Sequence, residues 1–323
     1  MFTSEWDKFS KKTYASNYGE WPEGDITKIK SEDIPGHDVL LAGFPCQAFS
    51  RAGKREGFQD IRGTMFFEVQ RILAYHQPKA FLLENVKQLR GHDDGRTLDT
   101  MLSILRGEYT ADLPSDIPMS AAARRSLRVK LDYETDFRVL KSNDFGVPQK
   151  RERVYIVGFN RKKCPSIDLD AMFARLVRSS EATRLGDVLE DDEKIEKRFT
   201  ISDKLYEGHI RRSERHRERG NGFSYGLFNK ESPYCNTISA RYYKDGREIL
   251  IDQSHLDKNP RKLTPRECAR ILGFPEEFRV DAVSVNQLYR QMGNSVSIPV
   301  IQAIADQMVP NLNAEASIKI ANG

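Results

Sequence analysis

The stretch that decides the fold contains DVLLAGF (38–44), TMFFEVQRILAYH (64–76) and AFLLENV (80–86). The two outer segments are short, continuous apolar runs bounded by turn residues, which is typical of strands buried on both faces. The middle segment has apolar residues at helical spacing and is followed by Pro78, which predicts a helix that ends before the proline. Strand, helix and strand in this order predict a parallel α/β unit.

The pattern continues on the C-terminal side of this unit. TLDTMLSILRGEY (97–109) predicts a second helix with Thr97 as its N-cap, and FRVLKSNDFGVPQKRERVYIVGF (137–159) predicts two strands joined by a bend. From about residue 161 the sequence becomes loop-rich and strongly charged. Order returns with a capping-box helix start at Thr264 and a last amphipathic helix over 297–309.

We therefore expect two domains. An α/β sheet domain is predicted to comprise residues 1–160 plus 285–323, and a small, irregular domain is predicted to comprise residues 161–284. Apolar strands alternating with amphipathic helices support the first domain, and frequent Gly, Asn and charged residues distinguish the second.

Composition and charge restrict the class of protein. The 323 residues are 39% hydrophobic and 30% charged, with no apolar run of membrane-helix length and no signal-peptide core at the N-terminus. The four cysteines lie far apart and form no C-x-x-C pair, so neither a zinc site nor a disulfide framework is predicted. These features favour a soluble cytoplasmic protein without membrane contact, and a net charge of +4 is only weak support for nucleic-acid binding.

A cysteine and a carboxylate follow the two strands of the parallel unit. Cys46 comes just after the first strand, and Glu84 lies near the end of the second. Reactive groups of open α/β sheets lie beyond the carboxyl ends of parallel strands, so both side chains can face one cleft. A thiolate nucleophile assisted by a carboxylic acid is one interpretation, and a buried inert cysteine with a surface carboxylate is the alternative.

Five ordered blocks carry a resemblance to a known family. They are GFPCQAFS (43–50), ENV (84–86), QKRER (149–153), LTPRECARILGFP (263–275) and QMGNSVSIPV (291–300). Together they closely resemble the bacterial DNA (cytosine-5) methyltransferases of restriction–modification systems. The resemblance implies a Rossmann-like, S-adenosylmethionine-dependent methyltransferase sheet domain with a small target-recognition domain.

The resemblance implies how the catalytic residues act. Cys46 matches the family nucleophile that adds to carbon 6 of cytosine and so activates carbon 5 for methylation. Glu84 matches the carboxyl that protonates or hydrogen-bonds ring nitrogen 3, a role that a raised pKa favours. Arg151 and Arg153 match arginines expected to contact the flipped base and its phosphates and to shape the pocket.

The resemblance also implies an S-adenosylmethionine site. The residues that match the family's cofactor contacts are Glu5, Trp6, Asp25, Ile26, Gly43, Pro45, Met65, Asn294 and Val296. Glu5 corresponds to the acid that holds the ribose hydroxyls, and Trp6 corresponds to the aromatic residue near the adenine.

Double-stranded DNA is the implied substrate, and a cognate restriction endonuclease is the implied partner in the same system. The loop over residues 49–60 resembles the family's closing loop, and the region 160–262 resembles its sequence-recognition region. The residues predicted to contact DNA are Gln47, Ser50, Arg51, Arg62, Gln149, Thr237, Arg241 and Tyr242.

One family motif is absent from the sequence. The glycine-rich Phe-x-Gly-x-Gly turn that cradles the methionine part of the cofactor occurs nowhere in the 323 residues. A start further upstream, a separate polypeptide and a degraded gene are three explanations. Alternatives to a self-sufficient enzyme are therefore an inactive, truncated DNA-binding remnant or one subunit of a split methyltransferase.

Overall fold

The computed structural model describes residues 1–44, 65–109, 117, 119–181, 183–222 and 224–312. The helices are α1 (Lys8–Tyr18), α2 (Met65–His76), α3 (Arg96–Arg106), α4 (Ala121–Ser126), α5 (Leu169–Ala174), α6 (Asp203–Glu218), α7 (Tyr242–Asp245), α8 (Pro265–Arg270), α9 (Val285–Asn294) and α10 (Ile298–Leu312). The strands are β1 (Val39–Gly43), β2 (Ala80–Val86), β3 (Tyr133–Lys141), β4 (Glu152–Asn160), β5 (Leu227–Phe228) and β6 (Leu250–Ile251). Within these ranges, no helix is both long and apolar enough to cross a membrane.

The main sheet of the described residues has the strand order β1-β2-β4-β3. β1 and β2 are parallel and are connected through α2, which confirms the predicted parallel unit. β4 is antiparallel to both β2 and β3, so the two strands predicted between residues 137 and 159 form an antiparallel pair. This register places Glu84 between Gly43 of β1 and Tyr155 of β4.

Helices cover both faces of the sheet. Phe81 and Leu83 of β2 pack in one core with side chains of α2 and α3, whereas Ala80 and Leu82 pack in a second core with α5 and α10. Alternate residues of a strand point to opposite faces, so a strand covered on both sides needs apolar residues at nearly every position. This arrangement explains the continuous apolar run in the sequence of β2.

A third core lies outside the main sheet. It joins residues from Leu185 to Met292, and its buried members come from loops, from β6 and from the helices α7, α8 and α9. Only the two-residue strands β5 and β6 form a sheet in this described region. The structure thus separates a loop-rich unit from the sheet, whereas the domain boundaries at 160/161 and 284/285 stay a prediction.

The predicted helix starts have different outcomes. The capping box at α8 is confirmed, because the Thr264 side chain accepts from the N–H of Glu267 while Glu267 accepts from the N–H of Thr264. The predicted N-cap at Thr97 is wrong, since α3 begins one residue earlier with Gly95 at the cap. The Thr97 hydroxyl lies 2.7 Å from His92 Nδ1 instead.

Candidate active site

A buried ion pair marks the carboxyl end of the parallel strands. Arg153 Nε of β4 lies 3.0 Å from Glu84 Oε1 of β2, and their side chains are only 13% and 15% exposed. The second carboxylate oxygen of Glu84 lies over β1, because a Cβ added to Gly43 would be 3.6 Å from Oε2. Three neighbouring strands therefore position this carboxyl at the end of β1.

Asn85 holds Phe44, the residue that directly follows β1. The sequence analysis predicted no role for Asn85. Asn85 is buried, and its Nδ2 donates to the carbonyl of Phe44 at 3.2 Å. Its position in the quoted ENV block was the only signal. The predicted nucleophile Cys46 and the predicted cofactor residue Pro45 follow Phe44 in sequence and lie outside the described residues.

The other three cysteines are buried in the cores of the molecule. Burial raises the pKa of the Cys235 thiol to about 12 and the pKa of Cys268 well above its usual value. Only a thiolate is an effective nucleophile, so Cys235 and Cys268 are unsuited to attack a substrate.

The environment of Glu84 favours its protonated form. Burial raises the pKa of the Glu84 carboxyl, and the charges of Arg153 and Arg151 only partly oppose this effect. Burial and the Glu84 charge also raise the pKa of the neighbouring Tyr155, which stays a neutral phenol. A carboxyl with a raised pKa can donate a proton or a hydrogen bond near neutral pH.

We expect this raised pKa to make stability depend on pH. Below the usual carboxyl pKa of 4.5, Glu84 is protonated in both the folded and the unfolded chain. As the pH rises above this value, the unfolded chain ionises first, and the wild type loses stability that Glu84→Gln retains. Melting temperatures of both proteins should be measured between acidic and neutral pH. We expect the melting temperature of the wild type to decrease relative to that of the variant as the pH rises. Glu152→Gln, which alters the Glu152–Lys87 pair, is the control, and parallel melting curves for wild type and Glu84→Gln would contradict this expectation.

Arg151 lies at a different place from Arg153. Its side chain is 2% exposed, and its guanidinium donates to the carbonyls of Ile238, Gly293 and Ser295. The resemblance places Arg151 and Arg153 in one motif, but in the structure they contact different groups. Arg153 contacts the carboxyl, whereas Arg151 contacts the backbone at Ile238 and at the C-terminal end of α9.

Two of the predicted cofactor segments are brought together near the N-terminus. The Glu5 N–H donates to the carbonyl of Glu23 at 3.1 Å, and Ser4 pairs with Glu23 in a parallel bridge. Asp25 begins a short turn, where its Oδ1 accepts from the N–H and hydroxyl of Thr27. The Trp6 side chain follows Glu5 in the sequence and is 80% exposed, so its indole face is accessible.

Three other residues predicted to contact the cofactor lie elsewhere in the chain. Met65 is the first residue of α2 and, like Ile26, packs against the core that α2 shares with the sheet. Asn294 ends α9 and is exposed, and Val296 is half-buried directly after the Ser295 carbonyl that Arg151 contacts.

Four of the residues predicted to contact DNA, Gln47, Ser50, Arg51 and Arg62, lie outside the described residues. Of the others, only Arg241 is exposed. Thr237 is half-buried and donates through its hydroxyl to the carbonyl of Lys150 at 2.7 Å. Gln149 is fully buried beneath this segment.

Tyr242 requires a correction. Its side chain is fully buried in the third core, donates to the Ile249 carbonyl at 2.7 Å and accepts from the Leu263 N–H at 2.8 Å. These contacts leave Tyr242 no surface with which to reach a base, so the structure assigns it to packing. The sequence could not distinguish a core tyrosine from an interface tyrosine in a region without periodicity.

The fold first defines the class of protein. The solved structure of the Schizosaccharomyces pombe Dnmt2 methyltransferase superposes with a TM-score of 0.69 at 18% identity, covering 98% of this chain and 91% of that chain. The sheet with helices on both faces is therefore a methyltransferase α/β fold.

Sequence comparison then defines the family. The C-5 cytosine-specific DNA methylase model matches residues 1–109 and 127–310. The type II methyltransferase M1.ScrFI of Lactococcus lactis subsp. cremoris is 51% identical over 96% of this chain and 72% of its own length, and M.SsoII of Shigella sonnei is 48% identical over 97% and 75%. The chain belongs to the C-5 cytosine-specific DNA methylase family and is a DNA (cytosine-5) methyltransferase, which confirms the resemblance noted in the sequence.

Proposed function

We propose that this protein methylates carbon 5 of cytosine within a specific duplex DNA site, using S-adenosylmethionine, as the modification enzyme of a restriction–modification system. The observation that carries the proposal is the buried Glu84 carboxyl, held by Arg153 over the end of β1. The names of the relatives, type II methyltransferases, support a cognate restriction endonuclease as a partner. Bacterial DNA lies in the cytoplasm, and we place the enzyme there.

In the proposed mechanism, the Cys46 thiolate adds to carbon 6 of a cytosine that has left the base stack. Glu84 gives a proton or a hydrogen bond to ring nitrogen 3, which stabilises the electron density that the addition pushes into the ring. Carbon 5 then becomes nucleophilic enough to accept a methyl group. Loss of the carbon 5 proton to a base and expulsion of the Cys46 thiolate from carbon 6 restore the ring and release the methylated cytosine. A base inside a duplex cannot present carbon 6 to a thiol, so extrusion must precede the attack.

The residues near the N-terminus fit the cofactor. Glu5 and Asp25 supply carboxylate oxygens for hydroxyl and amine groups, and the exposed Trp6 supplies an aromatic face for a purine. Glu5 Oε1 accepts from the Asp7 N–H at 2.8 Å, which fixes the direction of the carboxyl while its second oxygen can accept from a ribose hydroxyl. When bound, S-adenosylmethionine supplies an electrophilic methyl group.

A further strand is proposed to complete the sheet. β1 pairs with β2 along one edge, and no described strand pairs with its other edge. Leu41 of β1 is 66% exposed although its neighbour Leu40 is buried. Open apolar edges favour pairing with another strand, and we propose that a segment with a Phe-x-Gly-x-Gly turn, upstream or on a partner subunit, pairs here.

Transfer of labelled methyl groups to plasmid DNA tests this function. We expect transfer by the chain joined to, or mixed with, a polypeptide that carries the Phe-x-Gly-x-Gly turn of a relative. We expect the chain without this segment to be at least tenfold slower. Leu41→Lys should weaken the response to a separately added segment, because it places a charge on the proposed contact. Full activity without the segment would refute the strand proposal, and no transfer under either condition would refute the methylation proposal.

A further inference from the structure

The loop-rich unit is attached to the main sheet by a short backbone seam. The Lys150 N–H donates to the Cys235 carbonyl at 2.9 Å, and the Cys235 N–H donates to the Pro148 carbonyl at 2.9 Å. The Thr237 hydroxyl adds a third bond, to the Lys150 carbonyl. Residues 148–150 therefore hydrogen-bond directly to residues 235–237, the first part of residues 235–240, which we call the recognition segment.

Arg151 extends this seam to a third segment. Its guanidinium donates to Ile238 of the recognition segment at 3.3 Å and to Gly293 at 3.2 Å, and it also donates to Ser295. These carbonyls lie 87, 142 and 144 residues from Arg151 in sequence. An arginine offers five N–H donors in a fixed plane, so one side chain can bind three carbonyls at once.

Close packing joins the second and third segments to each other. A Cβ added to Gly293 would lie 2.2 Å from both the Ala240 nitrogen and the Ser239 carbonyl carbon. The C-terminal end of α9 and residues 239–240 thus fit together only because position 293 is glycine. We call residues 148–151, 235–240 and 293–295 the junction.

The junction continues directly into the active site. β4 begins at Glu152, and Arg153 on this strand is the residue that holds the Glu84 carboxyl. Only one residue separates the arginine that binds the recognition segment from the arginine that binds the catalytic carboxyl. A shift of the recognition segment relative to residue 151 therefore has only Glu152 between it and Arg153.

We propose that Arg151 is a positioning residue that locks the recognition segment and the C-terminal end of α9 to the strand carrying Arg153. This role differs from the base or phosphate contact that the family pattern implies for the residue, and it rests on the methyltransferase function proposed above. Once the recognition segment seats on DNA, the junction holds Arg153 and Glu84 in the position that catalysis requires. Arg151 itself touches neither base nor phosphate.

Arg151→Lys and Arg151→Met test the proposal in two measurements. Hydrogen–deuterium exchange on the protein alone should show the Lys150 and Cys235 amides losing protection in both variants, with unchanged exchange in the β1–β2 pair. Steady-state methylation of plasmid DNA should show kcat falling about 100-fold, as a displacement near 1 Å can produce, with KM for DNA within about twofold. Arg138→Lys, which alters a half-buried ion pair on β3, is the matched control and should match the wild type.

Each result decides the proposal. If the amides of Lys150 and Cys235 exchange as slowly in both variants as in the wild type, the proposal is overturned, whether or not the enzyme is active. A KM for DNA raised tenfold or more with kcat unchanged would overturn it in favour of a direct DNA contact. If Arg151→Met fails to fold, Arg151→Lys provides both measurements, because lysine keeps the charge but cannot bind three carbonyls. If the wild type transfers no methyl group, only the methylation proposal is refuted. The role of Arg151 is then decided by the hydrogen–deuterium exchange measurement.

Discussion

Cys46→Ser is expected to reduce methyl transfer to DNA below detection. A serine hydroxyl is almost never ionised near neutral pH, whereas a cysteine thiol reaches its thiolate form readily and is intrinsically more nucleophilic. The measurement is transfer of labelled methyl groups to plasmid DNA. The polypeptide that carries the Phe-x-Gly-x-Gly turn is supplied to all variants. Cys164→Ser, at a buried core position, is the matched control and should keep most of the activity.

Covalent attachment to a modified oligonucleotide distinguishes a variant that has lost its nucleophile from a variant that has failed to fold. Methylated plasmid can be sequenced to identify the target site, and an oligonucleotide with 5-fluorocytosine at that site should then attach covalently to the wild type. The same oligonucleotide should never attach to Cys46→Ser, although the variant should still bind it. Undiminished methylation or covalent attachment by Cys46→Ser would remove Cys46 from the mechanism.

Glu84→Gln is expected to lower kcat by about 10²–10⁴, the usual contribution of a positioned general acid. Glutamine has the same shape and can keep a contact with Arg153, but it cannot release a proton to ring nitrogen 3. DNA binding should be unchanged within about twofold, because the carboxyl lies in a buried pair rather than on the surface. A binding assay together with single-turnover methylation measures both quantities.

Glu152→Gln is the control for this substitution. Glu152 precedes Arg153 on β4, points to the opposite face of the sheet and pairs with Lys87 at 3.0 Å. Each substitution replaces a carboxyl by an amide of the same shape. One lies next to Arg153 in the sequence, and the other lies at the Arg153 contact. Equal losses of kcat in both variants would show that general electrostatics, rather than proton donation by Glu84, controls the rate.

The predicted parallel unit and its carboxyl were accessible from sequence because both depend on short-range patterns. A buried strand, an amphipathic helix and a second buried strand appear as local periodicity, and a right-handed connection leaves one arrangement for the two strands. Glu84 at the end of that unit follows from the same pattern. The capping box at Thr264 is equally local, since its reciprocal hydrogen bonds join residues three apart.

The contacts of Arg151 and the burial of Tyr242 were not accessible in this way. Arg151 meets carbonyls from segments 87 and 142 residues away, and no periodicity in the sequence signals such a meeting. Tyr242 lies in a region whose core is built from loops and short helices. Its environment depends on how distant segments pack, and the aromatic residue type suits both a core and a surface.

The sequence by itself determined the strands and helices of the sheet, the family and the identity of the catalytic candidates, because local periodicity and ordered motifs record these properties. Only the tertiary structure decided that Arg153 holds Glu84 over Gly43, whereas Arg151 joins the recognition segment to the sheet. The two arginines are separated by a single residue and are chemically identical. Their different roles come from the surrounding carboxylate and carbonyl groups, which long-range packing alone brings into place.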